Sequence, residues 1–163
     1  MRLHLYILTA LLFAPILADG VESFWVLQGT VARVVEDISI AKKPDTQVSF
    51  IVSFNKALGC AAEIETLVMT GSTLGKPLRQ KWMTEKMSLT IDGNPSISNR
   101  TAATQYENGF ATTFISPPSF LSQLKNGSTI RAVMMPGSPA IEFPLEGAGP
   151  VIDSALRECN RMR

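Results

Sequence analysis

Ser122 and Lys125 have the residue types and the spacing that come closest to known catalytic chemistry in this sequence. With the two residues between them they match the S-x-x-K pattern, in which a lysine activates a serine nucleophile. Enzymes with this pair also need an S-D-N and a K-T-G element, and the sequence contains neither. The pair falls at the end of a short predicted helix. We therefore interpret both as surface residues and assign no catalytic residue.

The segment GSTLGK at residues 71–76 is similar to a phosphate-binding loop. It is one residue shorter than the G-x-x-x-x-G-K-[ST] pattern, and Pro77 stands where a hydroxyl would hold magnesium. We predict an ordinary loop there, without a nucleotide cofactor.

Glu63 and Glu65 lie two residues apart, a spacing that suggests a catalytic carboxylate pair. Alternate residues of a strand share one face, so both carboxylates would lie opposite the face of Cys60 and Ile64. We predict that the carboxylates face solvent and that Cys60 faces the core. A histidine-free carboxylate hydrolase stays as an alternative, because nothing in the sequence selects one pair of acids.

The histidine and cysteine content limits which other kinds of catalytic or metal site the domain could have. The only histidine is His4, which lies in a predicted signal peptide, so the exported domain has no imidazole for a catalytic dyad or a zinc site. The only cysteines are Cys60 and Cys159, an even pair that we expect to form a disulfide in an oxidising compartment. The seven methionines form no Met-x-Met cluster and are typical of core filling. We expect no metal and no cofactor.

Residues 1–20 have the three parts of a secretory signal peptide. Arg2 and His4 give a basic start, Leu5 to Leu17 form an uncharged apolar run, and Ala18-Asp19-Gly20 offers a cleavage site before Val21. The run is shorter than the roughly 20 apolar residues of a membrane-spanning helix. The sequence therefore predicts a periplasmic or secreted protein.

Residues 21–163 are the size of one domain. The whole chain has 15 basic and 14 acidic residues, and the signal removes one of each (Arg2 and Asp19), so the net charge stays at +1. Such a balance gives no electrostatic basis for binding nucleic acid. No later segment is apolar enough to suggest a membrane span.

Period-two alternation predicts strands along the first two thirds of this domain. The predicted strands are residues 24–35, 47–54, 60–68, 87–91 and 109–115, with turns at Lys43-Pro44-Asp45 and Asp92-Gly93. Residues 76–86 fit helix and strand about equally well.

Two helices and a hairpin are predicted near the C-terminus. Ser116 is expected to cap a helix with Pro117 at its first position and Asn126-Gly127 at its end. Residues 129–135 and 139–145 read as a hairpin. Beyond Gly149-Pro150, Ile152, Ala155 and Cys159 share one helical face, which places the second sulfur inward as well. The predicted fold class is α+β: an antiparallel β-sheet or β-sandwich with two C-terminal helices.

The order of several segments resembles a known group of proteins. These segments are GCAA at residues 59–62, FLSQLKNG at 120–127, TIRAV at 129–133 and FPLEG at 143–147, followed by Ala155, Leu156 and Cys159. Together they resemble exported proteins of the invasion-associated locus B type and accessory periplasmic proteins of type VI secretion clusters. The resemblance covers about residues 59–159 and implies a β-rich domain with a non-enzymatic role in the Gram-negative envelope. Locus B proteins usually carry additional cysteines, whereas this chain has one pair.

Taken together, these features predict a non-enzymatic interaction module that binds a protein partner in envelope assembly, secretion or host contact. Within binding proteins, the alternative is a periplasmic inhibitor or immunity protein against a toxin or hydrolase.

Overall fold

The computed structural model describes residues 24–40, 43–94, 97–134 and 137–162, so the predicted signal peptide lies outside the described residues. Within these ranges, nine strands form one antiparallel sheet in the order β1-β2-β3-β4-β7-β6-β5-β8-β9. The strands are β1 (Val26–Gln28), β2 (Val31–Ile40), β3 (Lys43–Asn55), β4 (Ala61–Thr70), β5 (Pro77–Ile91), β6 (Ile97–Tyr106), β7 (Gly109–Ile115), β8 (Thr129–Val133) and β9 (Ile141–Pro144).

The predicted strand at residues 24–35 is two strands, which corrects that prediction. Gln28 pairs with Val31 across a two-residue turn of Gly29 and Thr30. Gly29 has φ +59°, which glycine adopts at little cost, so this turn can reverse the chain within a run of strand-forming residues. Strand β3 is longer than the strand predicted at residues 47–54, because the turn predicted at Lys43-Pro44-Asp45 is the start of β3.

Strand β4, between β3 and β7 in the sheet, follows a short 3-10 turn (Lys56–Leu58) and two residues with positive φ, Gly59 and Cys60. Ala62, Ile64 and Thr66 are buried on one face, as the alternation predicts. The strand therefore begins directly after a cysteine that lies in the core.

Of the ambiguous segment at residues 76–86, all but Lys76 is strand, and it continues into the predicted strand at 87–91 to form β5. Its partner, β6, was missed, because its polar sequence ISNRTAATQY lacks a clear apolar alternation. The pairing shifts between Trp82 and Lys86, where three residues of β5 lie opposite Thr101. Beside this β-bulge the hydroxyl of Thr101 is buried and has no hydrogen-bond partner among the described residues.

Two α-helices follow in the part of the chain that the structure describes: α1 (Pro118–Asn126) and α2 (Ala148–Arg161). The predicted cap of α1 is one residue off. The N-cap is Pro117, and the hydroxyl of Ser116 donates to the carbonyl of Pro117 instead. Between the helices, β8 and β9 pair as the predicted hairpin, whose Pro136 lies outside the described residues.

Both helices pack on one face of the sheet, which we call the inner face. Phe120 and Leu124 of α1 and Ile152 and Ala155 of α2 join one core with inner-face residues from most strands. Phe50 of β3 lies near Phe143 of β9, with ring centroids 5.7 Å apart, although the two strands are far apart in the sheet order. The sheet therefore curves around the helices. The predicted α+β class with an antiparallel sheet is confirmed.

No helix in the described residues is both long enough and apolar enough to cross a membrane.

Candidate functional site

The face of the sheet opposite the helices, the outer face, presents two adjacent rows of side chains across the strands. The first row contains Val26, Arg33, Ile51, Glu65 and Thr113, each directly opposite the next in the pairing register. The second contains Gln28, Val31, Ser53, Glu63 and Ile115 in the same order of strands. Directly opposite residues of antiparallel strands lie on the same face and interact. The rows therefore form one continuous surface with Arg33 and both glutamates near its centre.

Glu65 is half-buried in this surface. Loss of contact with water raises the pKa of its carboxyl, because burial disfavours the charged form. The hydrogen bond from Thr113 and the charge of Arg33 oppose that rise, and the charge of Glu63 adds to it. Arg33 is itself held in place, since Nε and a terminal guanidinium nitrogen donate to the hydroxyl of Ser49 at 3.1 and 2.7 Å.

The prediction that Glu63 and Glu65 lie on an open, solvated strand face is wrong in part. The alternation is right, but Leu67 and Met69, farther along the same face, are buried. They form a second apolar cluster with Ala111, and partly buried Ile51 and Tyr106 pack against it. Both glutamates are only partly accessible. The outer face is therefore apolar as well as charged.

Two large apolar side chains at opposite borders of the rows are exposed. Val26 of edge strand β1 is 57% exposed, and Ile115 at the end of β7 is 58% exposed. Phe24, two residues before Val26, is also exposed. Exposed apolar side chains and arginine are both found at protein interfaces.

A second surface feature is a groove of about 610 Å³ between α1 and α2, which we call the helix-pair groove. Ser122 and Lys125 line it from α1, and Asp153, Ser154 and Arg157 line it from α2. Lys125 Nζ donates to Asp153 Oδ1 at 2.8 Å, and a terminal nitrogen of Arg157 donates to Ser154 Oγ at 2.7 Å. The groove is therefore polar and lined by two cations and one carboxylate.

Ser122 and Lys125 thus share a groove, but their geometry is not that of a serine–lysine dyad. The lysine ammonium donates to Asp153 at 2.8 Å, and Ser122 is exposed on the surface of α1. An activating lysine must instead take a proton from the serine hydroxyl. The interpretation of both as surface residues therefore fits the structure.

The glycine-containing segment at residues 71–76 joins two strands, β4 and β5. A phosphate-binding loop needs a helix after it, because the helix N-terminus and its backbone N–H groups hold the phosphate. Asn108 fixes this loop instead: its Oδ1 accepts from Gly75 N at 2.7 Å, and its Nδ2 donates to the carbonyls of Thr70 and Thr73. The segment has a structural role.

Cys60 and Cys159 are joined by a disulfide with a Cα–Cα distance of 6.0 Å. Both are buried, so the bond ties the start of β4 to the last turns of α2 inside the core. Among the described residues there is no cluster of three or more histidine, cysteine, aspartate or glutamate side chains able to hold a metal ion.

No family model, curated protein or solved structure matches this chain. The assignment of a function therefore rests on the residues and geometry described above.

Sequence reasoning missed Arg33, Asp153 and Arg157 as parts of these surfaces. Arg33 is brought to the same row as Glu65, with Ile51 between them, only through the pairing of β2, β3 and β4, and no local spacing encodes that register. Asp153 and Arg157 are four residues apart on the solvent side of α2, a spacing that places them on one helical face. That spacing was a usable signal for the groove.

Proposed function

We propose that this chain is an exported interaction module that binds a protein partner of the cell envelope or of a host through the outer face of its sheet. The proposal extends the resemblance to envelope proteins, and it rests on one observation. Val26 in the first row and Ile115 in the second are exposed apolar side chains at opposite borders of a surface that contains half-buried charged residues.

This arrangement suits a binding surface for a physical reason. Covering Val26 and Ile115 would remove apolar area from water, which favours association by about 25 cal/mol per Å² before its costs. Arg33, Glu63 and Glu65 would then fix the orientation of the partner, since complementary charges set specificity and association rate more than affinity.

The test places a photo-crosslinking residue at position 115 and, as a control, at position 162. Met162 is 44% exposed at the far end of α2, away from the outer face. A specific adduct at 115 but not at 162 identifies the partner. The affinity of the purified partner should then fall at least about tenfold in Ile115→Asp. Equal adducts at both positions, or unchanged affinity, would count against the outer face.

An inhibitor or immunity protein would use the same kind of surface. If the partner is an enzyme, adding the purified domain should block its activity, and Ile115→Asp should relieve the block. Glu63→Lys tests the charged part of the surface, because reversing a charge there should lower the association rate that complementary charges promote.

A carboxylate hydrolase is the second candidate, and the raised pKa of Glu65 beside Glu63 favours it. The pair lies on the outer face of the sheet and takes no part in the helix-pair groove. Incubation with glycans and esters should give no turnover. Turnover that is lost in Glu65→Gln would replace the binding proposal with the hydrolase.

Export is tested by mass spectrometry of protein recovered from the periplasm or the medium. The expected N-terminus is at or near Val21. An intact Met1 in exported protein would contradict the signal peptide.

A further inference from the structure

We infer that the helix-pair groove is a binding site for an oxyanion group, a phosphate or a carboxylate, separate from the proposed protein-binding face. Three features of the groove favour an anion, and each acts through a different group.

The first feature is the guanidinium of Arg157. It donates to the neutral hydroxyl of Ser154, and among the described residues no carboxylate lies within 4 Å of it. A guanidinium offers five donors in a planar fork that matches the oxygens of a carboxylate or phosphate. Most of this donor capacity is therefore open to a ligand in the groove.

The second feature is Lys125. Its ammonium has three donors, and the hydrogen bond to Asp153 uses one of them. Asp153 is the one carboxylate among the described residues that line the groove, so Lys125 and Arg157 together leave a net positive charge. The carboxylate of Asp153 also weakens the attraction of the groove for an anion. Neutralising Asp153 should therefore strengthen anion binding.

The third feature is the N-terminal end of α2. Its first turn contains Gly149, which lines the groove, and this turn has neither an acidic residue nor a side chain that caps it. The N-terminal end of a helix carries a partial positive charge, which acidic residues or bound anions usually offset. Gly149 also keeps the helices close, because a Cβ there would lie 2.9 Å from the backbone carbonyl oxygen of Lys125.

The groove is polar, and Ser122 and Ser154 add hydroxyl groups beside the cations. An apolar ligand would gain little from such a lining. A small ligand with an anionic group and hydroxyls, such as an acidic sugar or a phosphate ester, has matching donors and acceptors.

The test titrates the oxidised, signal-free protein with sodium phosphate and, separately, with sodium glucuronate at constant ionic strength. Backbone amide NMR signals report the site. Saturable shifts confined to α1 and to residues 149–157 of α2 are expected with at least one probe, and the responding probe identifies the oxyanion.

Three variants then separate a site from general charge attraction. Arg157→Gln should weaken binding at least about tenfold, since a charge-assisted pair is lost. Asp153→Asn should strengthen it several-fold. Arg131→Gln is the matched control, because this exposed arginine lies on β8 near Glu142 and should leave the affinity unchanged.

Two results would overturn the inference. One is the absence of saturable shifts in the groove with either probe. The other is equal affinity in the wild type and Arg157→Gln, when thermal unfolding shows that both proteins are folded. Neither result depends on the partner of the outer face, so the two proposals fail independently.

Discussion

The indole N–H of Trp25 donates a 2.8 Å hydrogen bond to the backbone carbonyl of Pro144, across 119 residues of sequence. Trp25 directly precedes β1, and Pro144 ends β9, so the bond links the two edge strands of the sheet. The ring of Trp25 also meets Phe50 edge-on, with centroids 6.3 Å apart. One side chain therefore joins both borders of the sheet to its core.

Trp25→Phe should lower the free energy of unfolding by about 1–3 kcal/mol, because it removes a donor and leaves a partly buried carbonyl unpaired. Urea unfolding measures the change. Phe24→Ala is the neighbouring control: Phe24 is 67% exposed, and the change should stay within about 0.5 kcal/mol. Equal loss in the two variants would mean that the hydrogen bond contributes nothing of its own.

Removing the disulfide should lower the stability of the fold far more than Trp25→Phe does. The bond closes a loop of 99 residues, which in the chain-entropy model stabilises the fold by about 4–5 kcal/mol. Replacing Cys60 and Cys159 by alanine should therefore lower the thermal midpoint by about ten degrees or more. Scanning calorimetry measures the shift, and the wild type with reductant should match the variant. Non-reducing peptide maps that show two free thiols would contradict the bond.

Glu65 should make stability depend on pH. Its folded pKa is raised by burial, so the folded protein holds the carboxyl proton more tightly than the unfolded chain does. Stability therefore falls as the pH rises from the unfolded pKa, near 4.5, through the folded pKa. Glu65→Gln has no charge to bury, so its stability relative to wild type should increase from pH 4 to pH 7.

Urea unfolding at a series of pH values measures that trend. Thr113→Val offers the opposite change, because it removes the hydroxyl that stabilises the Glu65 carboxylate. Its stability should fall more steeply with pH than that of the wild type. Parallel profiles for wild type and Glu65→Gln would show that Glu65 titrates alike in the folded and unfolded chains.

The contact between the helices depends on Gly149. A Cβ at this position would lie 2.9 Å from the carbonyl oxygen of Lys125, so Gly149→Ala must push α1 and α2 apart. We expect a loss of about 1–3 kcal/mol despite the better helix propensity of alanine. Asn160→Ala, exposed on the same helix, is the control. A gain in stability in Gly149→Ala would mean that the helices separate at no cost.

The sequence predicts those parts of the fold that local patterns encode. The apolar stripe of α2 and the alternation in β4 both place a cysteine inward, and the two sulfurs meet in the structure. The turn at Gly29 was missed because the residues on both sides of it read as one continuous strand. Strand β6 was missed because its polar sequence reads as a loop.

The candidate surfaces were harder to predict. The spacing of Ser122 and Lys125 matches a catalytic pattern only in part, but both residues line a groove whose other wall comes from α2. The row from Arg33 to Glu65 depends on the pairing of three strands, which is a non-local property of the chain. The burial of Leu67 on the supposed solvent face has the same origin.

The disulfide also determines how the chain would respond to mechanical tension. If the domain were pulled at its two ends, force would pass from Cys60 to Cys159 through the covalent bond and bypass residues 61–158 between them. Strands β4 to β9 and both helices would be protected from stretching as long as the bond is intact. Extension would be limited to the segment that contains β1, β2 and β3 and to the few residues after Cys159. A module anchored in an envelope or held by a partner would then lose one border of its sheet under load and keep the rest.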